Sequence, residues 1–273
     1  ISISLDIDDE NYYHASIYGL ALYTDHKHYY INVDDLKNDD KLIQVLEDEN
    51  IKKYCFDFKK IKVALSRFNI NVNGLYFDLL LASYLLDSSL SNDENSIFNY
   101  YSVDLGSDNN ELSLFSNENP LRCSKIAYFT FKLANKTLDE LKKNECLDLF
   151  NNIEIPLCNV LANMEIEGMP IDKSILMKMG EEFSNKINET KQIIYSLAGE
   201  TFNIDSPKQV ANILYDKLHL KAPNKKQSTS VDALKELIIY HPIVSQILIY
   251  RKYAKLNSTY ITGLINHIYD DNK

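Results

Sequence analysis

The chain opens with "ISISLDIDDE", in which Ile1, Ile3, Leu5 and Ile7 alternate with Ser2, Ser4, Asp6 and Asp8. A period of two predicts a strand, and carboxylates on alternate positions of a strand share one face. Asp6 and Asp8 are therefore spaced to hold divalent cations. A pair of Mg²⁺ ions so held would hydrolyse a phosphodiester by clamping its attacking and leaving oxygens. A solvated acidic strand end and turn accounts for Asp6, Asp8, Asp9 and Glu10 without any chemistry. A further carboxylate, Asp57, ends the segment "KYCFD", and "YYSVD" places Asp104 four residues after Tyr100.

Other residue types point away from metal or thiol chemistry. Cys55, Cys123, Cys146 and Cys158 form no CxxC pair, which argues against zinc and disulfides and fits a reducing cytoplasm. The six histidines are scattered, and none reads as a metal ligand. With 45% hydrophobic residues in 273, the chain can bury a sizeable core, and its length suggests two domains. No apolar run reaches the ~20 residues of a membrane span, and no secretory signal opens the chain. The 19 tyrosines read as compositional bias rather than a stacking surface.

The net charge of −10 disfavours nucleic acid in a naive reading, but the charge is uneven. From residue 201 onward ten basic residues face six acids, whereas nineteen face thirty-three before it. The basic part also holds polar groups suited to phosphates. In "FNIDSPKQVANILYDKL", Ser206 caps a helix, Pro207 suits its first position and Gln209 completes a capping box. Asn203 and Lys208 flank that start, where free N–H groups suit a phosphate; a plain capping box explains Ser206 and Gln209 equally. "APNKKQSTS" supplies Lys225, Lys226, Ser228, Thr229 and Ser230, and "AKLNSTY" supplies Lys255, Asn257 and Ser258.

The elements behind these residues fall into two kinds. Residues 1–7, 16–23 and 26–33 read as an antiparallel meander, because their connections are too short for crossover helices. "DDKLIQVLEDEN" and "KKIKVALSRFN" read as helices, "IKKYCFDF" as a strand, and "NVNGLYFDLLLASYLLD" as a turn at Gly74 leading into an apolar helix. Residues 88–119 are polar and read as a long surface excursion. From Asn151 strand signals nearly vanish, and helices follow, the first broken near Gly168-Met169-Pro170. Leu176, Ile187, Ile213, Leu214, Leu218, Ile247 and Leu248 form its predicted core.

"NIEIPLCNVLANMEIEGMPID", "FNIDSPKQVANILYDKL" and "STSVDALKEL…HPIVSQILIYRKYAKLNSTYITGL" closely resemble bacterial DNA polymerase I, family A. The resemblance covers essentially the whole chain and is strongest from Asn152 to Leu264. It implies an α/β RNase H-like domain of the 3′–5′ exonuclease type with a mixed sheet over residues 1–150. An all-α segment over 151–273, the start of the polymerase domain and its thumb, would follow. The palm and fingers would lie beyond Lys273, so the resemblance implies a cytoplasmic fragment that cannot polymerise alone. Its implied partners are the primer–template duplex and the remaining polymerase, with no membrane. It implies no cofactor in this chain, and Mg²⁺ in the palm.

Family members with working exonucleases hold two metal ions with four carboxylates: an Asp-x-Glu pair, an Asn-x-x-x-Asp motif and a Tyr-x-x-x-Asp motif. Aligned on "IYGLAL", the pair falls on Ser4 and Asp6, and the second motif on Lys53 and Asp57. Lys125 or Ile126 takes the last Asp place. Only Asp6 and Asp57 remain as vestigial positions, so the resemblance implies a silent exonuclease serving as scaffold. An alternative register puts the metals on Asp6, Asp8 and Asp57 as an active proofreading nuclease. The family's thumb contacts to DNA carry over to Asn203, Ser206, Lys208, Gln209, Lys225, Lys226, Ser228, Thr229, Ser230, Lys255, Asn257 and Ser258. The "APNKKQSTS" loop is shorter than the family form, which leaves its tip contacts open. A standalone duplex-binding protein without chemistry is the third reading.

Overall fold

The computed structural model describes residues 1–8, 11–24, 26–106, 119–222 and 227–268. It divides into two compact units, Ile1–Gly168 and Met169–Lys273.

The first unit is built on a five-stranded sheet of order β3-β2-β1-β4-β5. Strands β1 (Ser2–Ile7), β2 (Ile17–Thr24) and β3 (Lys27–Asn32) form the antiparallel meander. β4 (Lys53–Cys55) and β5 (Leu75–Asp78) run parallel to β1, so the sheet is mixed, as expected. Helices α1 (Val33–Asn38), α2 (Asp40–Glu47) and α3 (Phe58–Ser66) fill the connection from β3 to β5. On one face Ile3, Leu20, Cys55, Phe58 and Ile61 share a core. On the other, Ala21 and Tyr23 pack with Cys123 and Ala127 of the long helix α6 (Pro120–Lys143).

Three departures from the sequence reading have local causes. The strand read over 51–58 is only Lys53–Cys55, because Asp57 turns left-handed (φ 58°) and caps α3. The apolar run after Gly74 holds a separate strand, β5, before α4 (Leu79–Leu86). Periodicity cannot separate strand from helix within such a run; Asp78 makes the switch by capping α4. Within the polar excursion, Asp93 caps α5 (Glu94–Tyr100).

The two compact units divide later than residue 150. A short α7 (Leu147–Leu149), a π-helical turn (Phe150–Glu154) and α8 (Ile155–Glu167) belong to the first unit rather than starting the second. Phe150 is fully buried in that unit's core, and Cys158 and Ala162 are buried where α8 meets α3. The division read at 150/151 thus falls at Gly168 in packing terms, where φ of 67° ends α8. The outer side of this segment leaves Ile153, Leu157, Val160 and Met164 exposed.

Among its described residues the second unit has helices and no strand: α9 (Lys173–Ala198), α10 (Pro207–Ala211), a π-helical run (Asn212–Lys217), α11 (Val231–Leu237), α12 (Pro242–Lys255), a second π-helical run (Leu256–Thr262) and α13 (Gly263–Ile265). Ile213, Leu214 and Ile247 are buried in its core, and Ile187, Leu218 and Leu248 pack against it. Gly180 of α9 lets α9 approach the π-helical run closely: a Cβ there would lie 2.9 Å from Ile261.

Candidate nuclease cleft and candidate nucleic-acid face

The alternation that builds β1 puts Ser2, Ser4 and Asp6 on the side covered by α6, and all three are buried. Asp6 lies opposite Gly19 in the ladder with β2. Tyr30 of β3 reaches over that glycine, and its hydroxyl donates to Asp6 Oδ2 at 2.7 Å. The backbone N–H of Asn119 donates to the same oxygen at 2.9 Å. A Cβ at residue 19 would sit 2.6 Å from the Ile31 carbonyl oxygen and 2.7 Å from the Tyr30 ring, so only glycine leaves this path open. Ser4 has α6 packed over it, and the Cys123 thiol donates to its carbonyl at 3.1 Å.

Asp57 caps α3, and its carboxylate accepts the Lys60 N–H at 3.1 Å. Burial pushes its pKa upward against that bond. Asp78, which the sequence reading passed over, stands beneath it. Its fully buried carboxylate accepts N–H bonds from Asp57 at 3.2 Å and Phe58 at 2.7 Å. It also takes those of Leu80 and Leu81. Burial and the Asp57 charge push Asp78 up to about 7, while these amides pull the other way. A lone acid inside "LYFDLLLASYLL" is the sequence signal that could have found it. Asp8 accepts Ser16 N–H at 2.8 Å and Tyr18 hydroxyl at 2.9 Å; slight burial raises its pKa, but these bonds prevail and lower it.

Asp8 and Asp57 line one cavity of about 490 Å³ together with Ser4, Lys60, Glu94 and Arg122. Asp6 and Asp8 line a second, of about 440 Å³, which shares Lys60, Glu94 and Arg122 with the first. Asp6, Asp8 and Asp57 are therefore gathered at one end of the sheet, but two cations, Lys60 and Arg122, accompany them. Arg122 pairs with Glu94 at 2.9 Å and donates to Asn95 Oδ1 at 3.2 Å. Neither Lys53 nor Lys125 is among the lining residues. Lys53 is buried, donating to the Asp48 carbonyl, and Lys125 donates to the Leu105 carbonyl at 3.1 Å. Asp104 accepts the Gly106 N–H at 2.8 Å and lines neither cavity. Asp9 and Glu10 lie outside the described residues. Among the described residues, no group of three or more His, Cys, Asp or Glu could hold a metal ion.

In the second unit, Ser206 caps α10 through the Gln209 N–H at 3.4 Å. Gln209 reaches back to the Asn203 N–H at 2.8 Å rather than to Ser206, because the Asn203–Ser206 turn folds that amide toward it. Lys208 is exposed and lines a cavity of about 650 Å³ with Gln227, Ser228, Thr229, Ser230 and Arg251. The structure thus brings the "SPKQ" and "QSTS" segments together. Lys255, Asn257 and Ser258 sit at the junction of α12 with its π-helical run and do not line that cavity; Lys255 and Ser258 are exposed. Lys225 and Lys226 lie outside the described residues. Gln227 and Arg251 were not read from the sequence. Arg251 stands four residues after buried Ile247, and a charge on a helix's apolar side signals a buried partner.

Both parts of the chain match known proteins. Residues 3–110 match the DNA polymerase I ribonuclease H-like domain, and residues 173–273 match DNA polymerase family A. The chain is 35% identical over 98% of its length to DNA polymerase I of Geobacillus stearothermophilus, and 36% identical over 100% to that of Bacillus caldotenax. It spans 32% of each, about a third of the length of these relatives. A solved structure, the POL domain of Pol1 from M. smegmatis in complex with DNA primer-template and dNTP, superposes with a TM-score of 0.84 at 25% identity. The match covers 100% of this chain and 48% of that one.

Proposed function

We propose that this chain, which belongs to the family A DNA polymerases as a stretch of DNA polymerase I, pairs a catalytically silent exonuclease-like domain with a thumb that grips primer–template duplex. The whole protein would be a cytoplasmic DNA-directed DNA polymerase of replication and repair, with Mg²⁺ held by the palm. The palm and fingers would be the partners of the two units described here.

The observation that carries the silent reading is the company Asp6 keeps. One of its oxygens already accepts the Tyr30 hydroxyl and the Asn119 N–H, and Lys60 and Arg122 line the cavity it faces. A pair of hard cations needs several anionic oxygens. Here a buried serine stands two residues before Asp6, and Asp57 is engaged at a helix cap. The donor set does not suit a two-metal centre, so no hydrolytic step is assigned to it. Support for the thumb reading comes from Lys208, Ser228, Thr229 and Ser230 lining one cavity in the more basic part of the chain, and from a solved relative named as a primer–template complex.

A 5′-labelled primer–template incubated with the chain and Mg²⁺ or Mn²⁺ tests the first half. The primer is expected to keep its length; shortening that Asp6→Ala abolishes would establish the active nuclease instead. Fluorescence anisotropy of a labelled duplex tests the second half. Binding should weaken with salt, and Lys208→Gln should reduce the log–log salt slope by about one.

A further inference from the structure

Tyr250 and Arg251 are consecutive on α12, and each holds one of the two segments that frame the Lys208 cavity. The Tyr250 hydroxyl donates to Asp205 Oδ2 at 3.1 Å. Asp205 belongs to the turn before Ser206, where its own N–H donates to Asn203 Oδ1 at 3.0 Å. Arg251 reaches the other segment. One Nη donates to the Thr229 carbonyl and the other to Thr229 Oγ1 at 3.4 Å.

Thr229 is buried between exposed Gln227 and Ser230, so the segment is pinned at its middle rather than resting on solvent. Tyr215 adds a hydroxyl bond to the Ser228 carbonyl at 2.5 Å. A partly buried guanidinium requires such acceptors, because charge withdrawn from water is costly unless it is hydrogen-bonded. Without these bonds, "QSTS" would be a short polar stretch whose ordering would oppose every binding event.

We infer that Tyr250 and Arg251 form a positioning bracket, which fixes the spacing of the Asn203–Gln209 and Gln227–Ser230 segments so that both meet one nucleic-acid backbone together. The inference rests on the duplex-binding reading given above and assigns the pair no contact with phosphate.

The test is duplex anisotropy across a series of KCl concentrations with the unaltered chain, Tyr250→Phe, Arg251→Met, Arg251→Lys and Lys208→Gln. Tyr250→Phe, which loses one ordering hydrogen bond, is expected to weaken binding about three- to ten-fold at fixed salt, and Arg251→Met, which loses two, at least as much. Their salt slopes should equal that of the unaltered chain, and Arg251→Lys should recover part of the loss. Amides of the two segments should exchange faster in the free variants and return to the unaltered rates when duplex saturates them, which general unfolding would not produce. A salt slope lowered by about one in Arg251→Met would make Arg251 itself a phosphate contact and overturn the bracket. Unchanged affinity in both Tyr250→Phe and Arg251→Met, with Lys208→Gln behaving as expected, would overturn the bracket alone. Failure of the unaltered chain to bind duplex would overturn the thumb reading and the bracket with it.

Discussion

The Tyr30 hydroxyl meets the Asp6 carboxylate at 2.7 Å by crossing the one place on β2 that has no side chain, Gly19. Three strands cooperate in that contact: β3 supplies the phenol, β2 the gap and β1 the acid. It occupies a carboxylate that a nuclease would need for metal.

Closing the gap should therefore be costly. Gly19→Ala places a methyl against the Ile31 carbonyl and the Tyr30 ring, and backbone cannot yield as a flexible side chain does. Overpacking of this kind costs about 1–3 kcal/mol. Urea unfolding of the chain should show that loss, together with a changed tyrosine environment in near-UV circular dichroism. A variant as stable as the parent would contradict the geometry.

Removing the phenol alone should not recover a nuclease. Tyr30→Phe frees one bond of Asp6 but leaves the Asn119 N–H, Lys60 and Arg122 in place. The expected result is a stability loss of about 1.5–3 kcal/mol, that of a hydrogen bond to a charged group. No Mn²⁺-dependent loss of 3′ nucleotides should accompany it. The same labelled primer, run beside the parent, measures this.

The cap of α5 should titrate unusually low. Hydrogen bonds from Ser91 and Ser96 hold Asp93 at about 2, below its usual 3.8. An acid depressed on folding stabilises above its unfolded pKa, so this contribution is complete above pH 3.8 and vanishes as pH falls through 2. The side-chain carboxyl carbon of Asp93, followed by NMR, should show the low midpoint. Asp93→Ala should cost about 1 kcal/mol as a lost N-cap and loosen α5, which carries the Glu94 partner of Arg122.

Glu165 of α8 accepts both the Tyr12 hydroxyl at 2.7 Å and Lys59 Nζ at 2.6 Å, tying that helix to the loop after β1 and to α3. Glu165→Gln should destabilise the first unit by about 1 kcal/mol. A double-mutant cycle with Tyr12→Phe should return a coupling of about 0.5–1.5 kcal/mol. Burial and Glu165 push Tyr12 up to about 12. The folded pKa thus exceeds the unfolded 10, and this stabilisation holds below pH 10 and fades as pH climbs toward 12.

Much of the fold could be read from the sequence because its signals were local. The 1-3-5-7 alternation gave β1, the short connections gave the meander, and Ser206-Pro207 marked the start of α10. What escaped reading depended on tertiary placement. β5 is invisible inside an apolar run, and the extent of the first unit depends on Cys158 and Ala162 finding α3. The candidate cleft divides in the same way. Asp6, Asp8 and Asp57 were legible as acids at suggestive spacing. Lys60 and Arg122 were not, because their side chains enter the cleft from α3 and α6, far apart in sequence. Lys53 and Lys125, which motif register pointed to, turn instead to nearby carbonyls.

Ile153, Leu157, Val160 and Met164 present hydrocarbon to solvent along one side of α8 and the turn before it. Structure-making anions such as sulfate strengthen the expulsion of that surface from water. The same ions dissolve the attraction between lysines and a polyanion. A single rise in ammonium sulfate would thus make one half of the molecule adhesive and, on the duplex-binding proposal, would prise the other half off a nucleic acid.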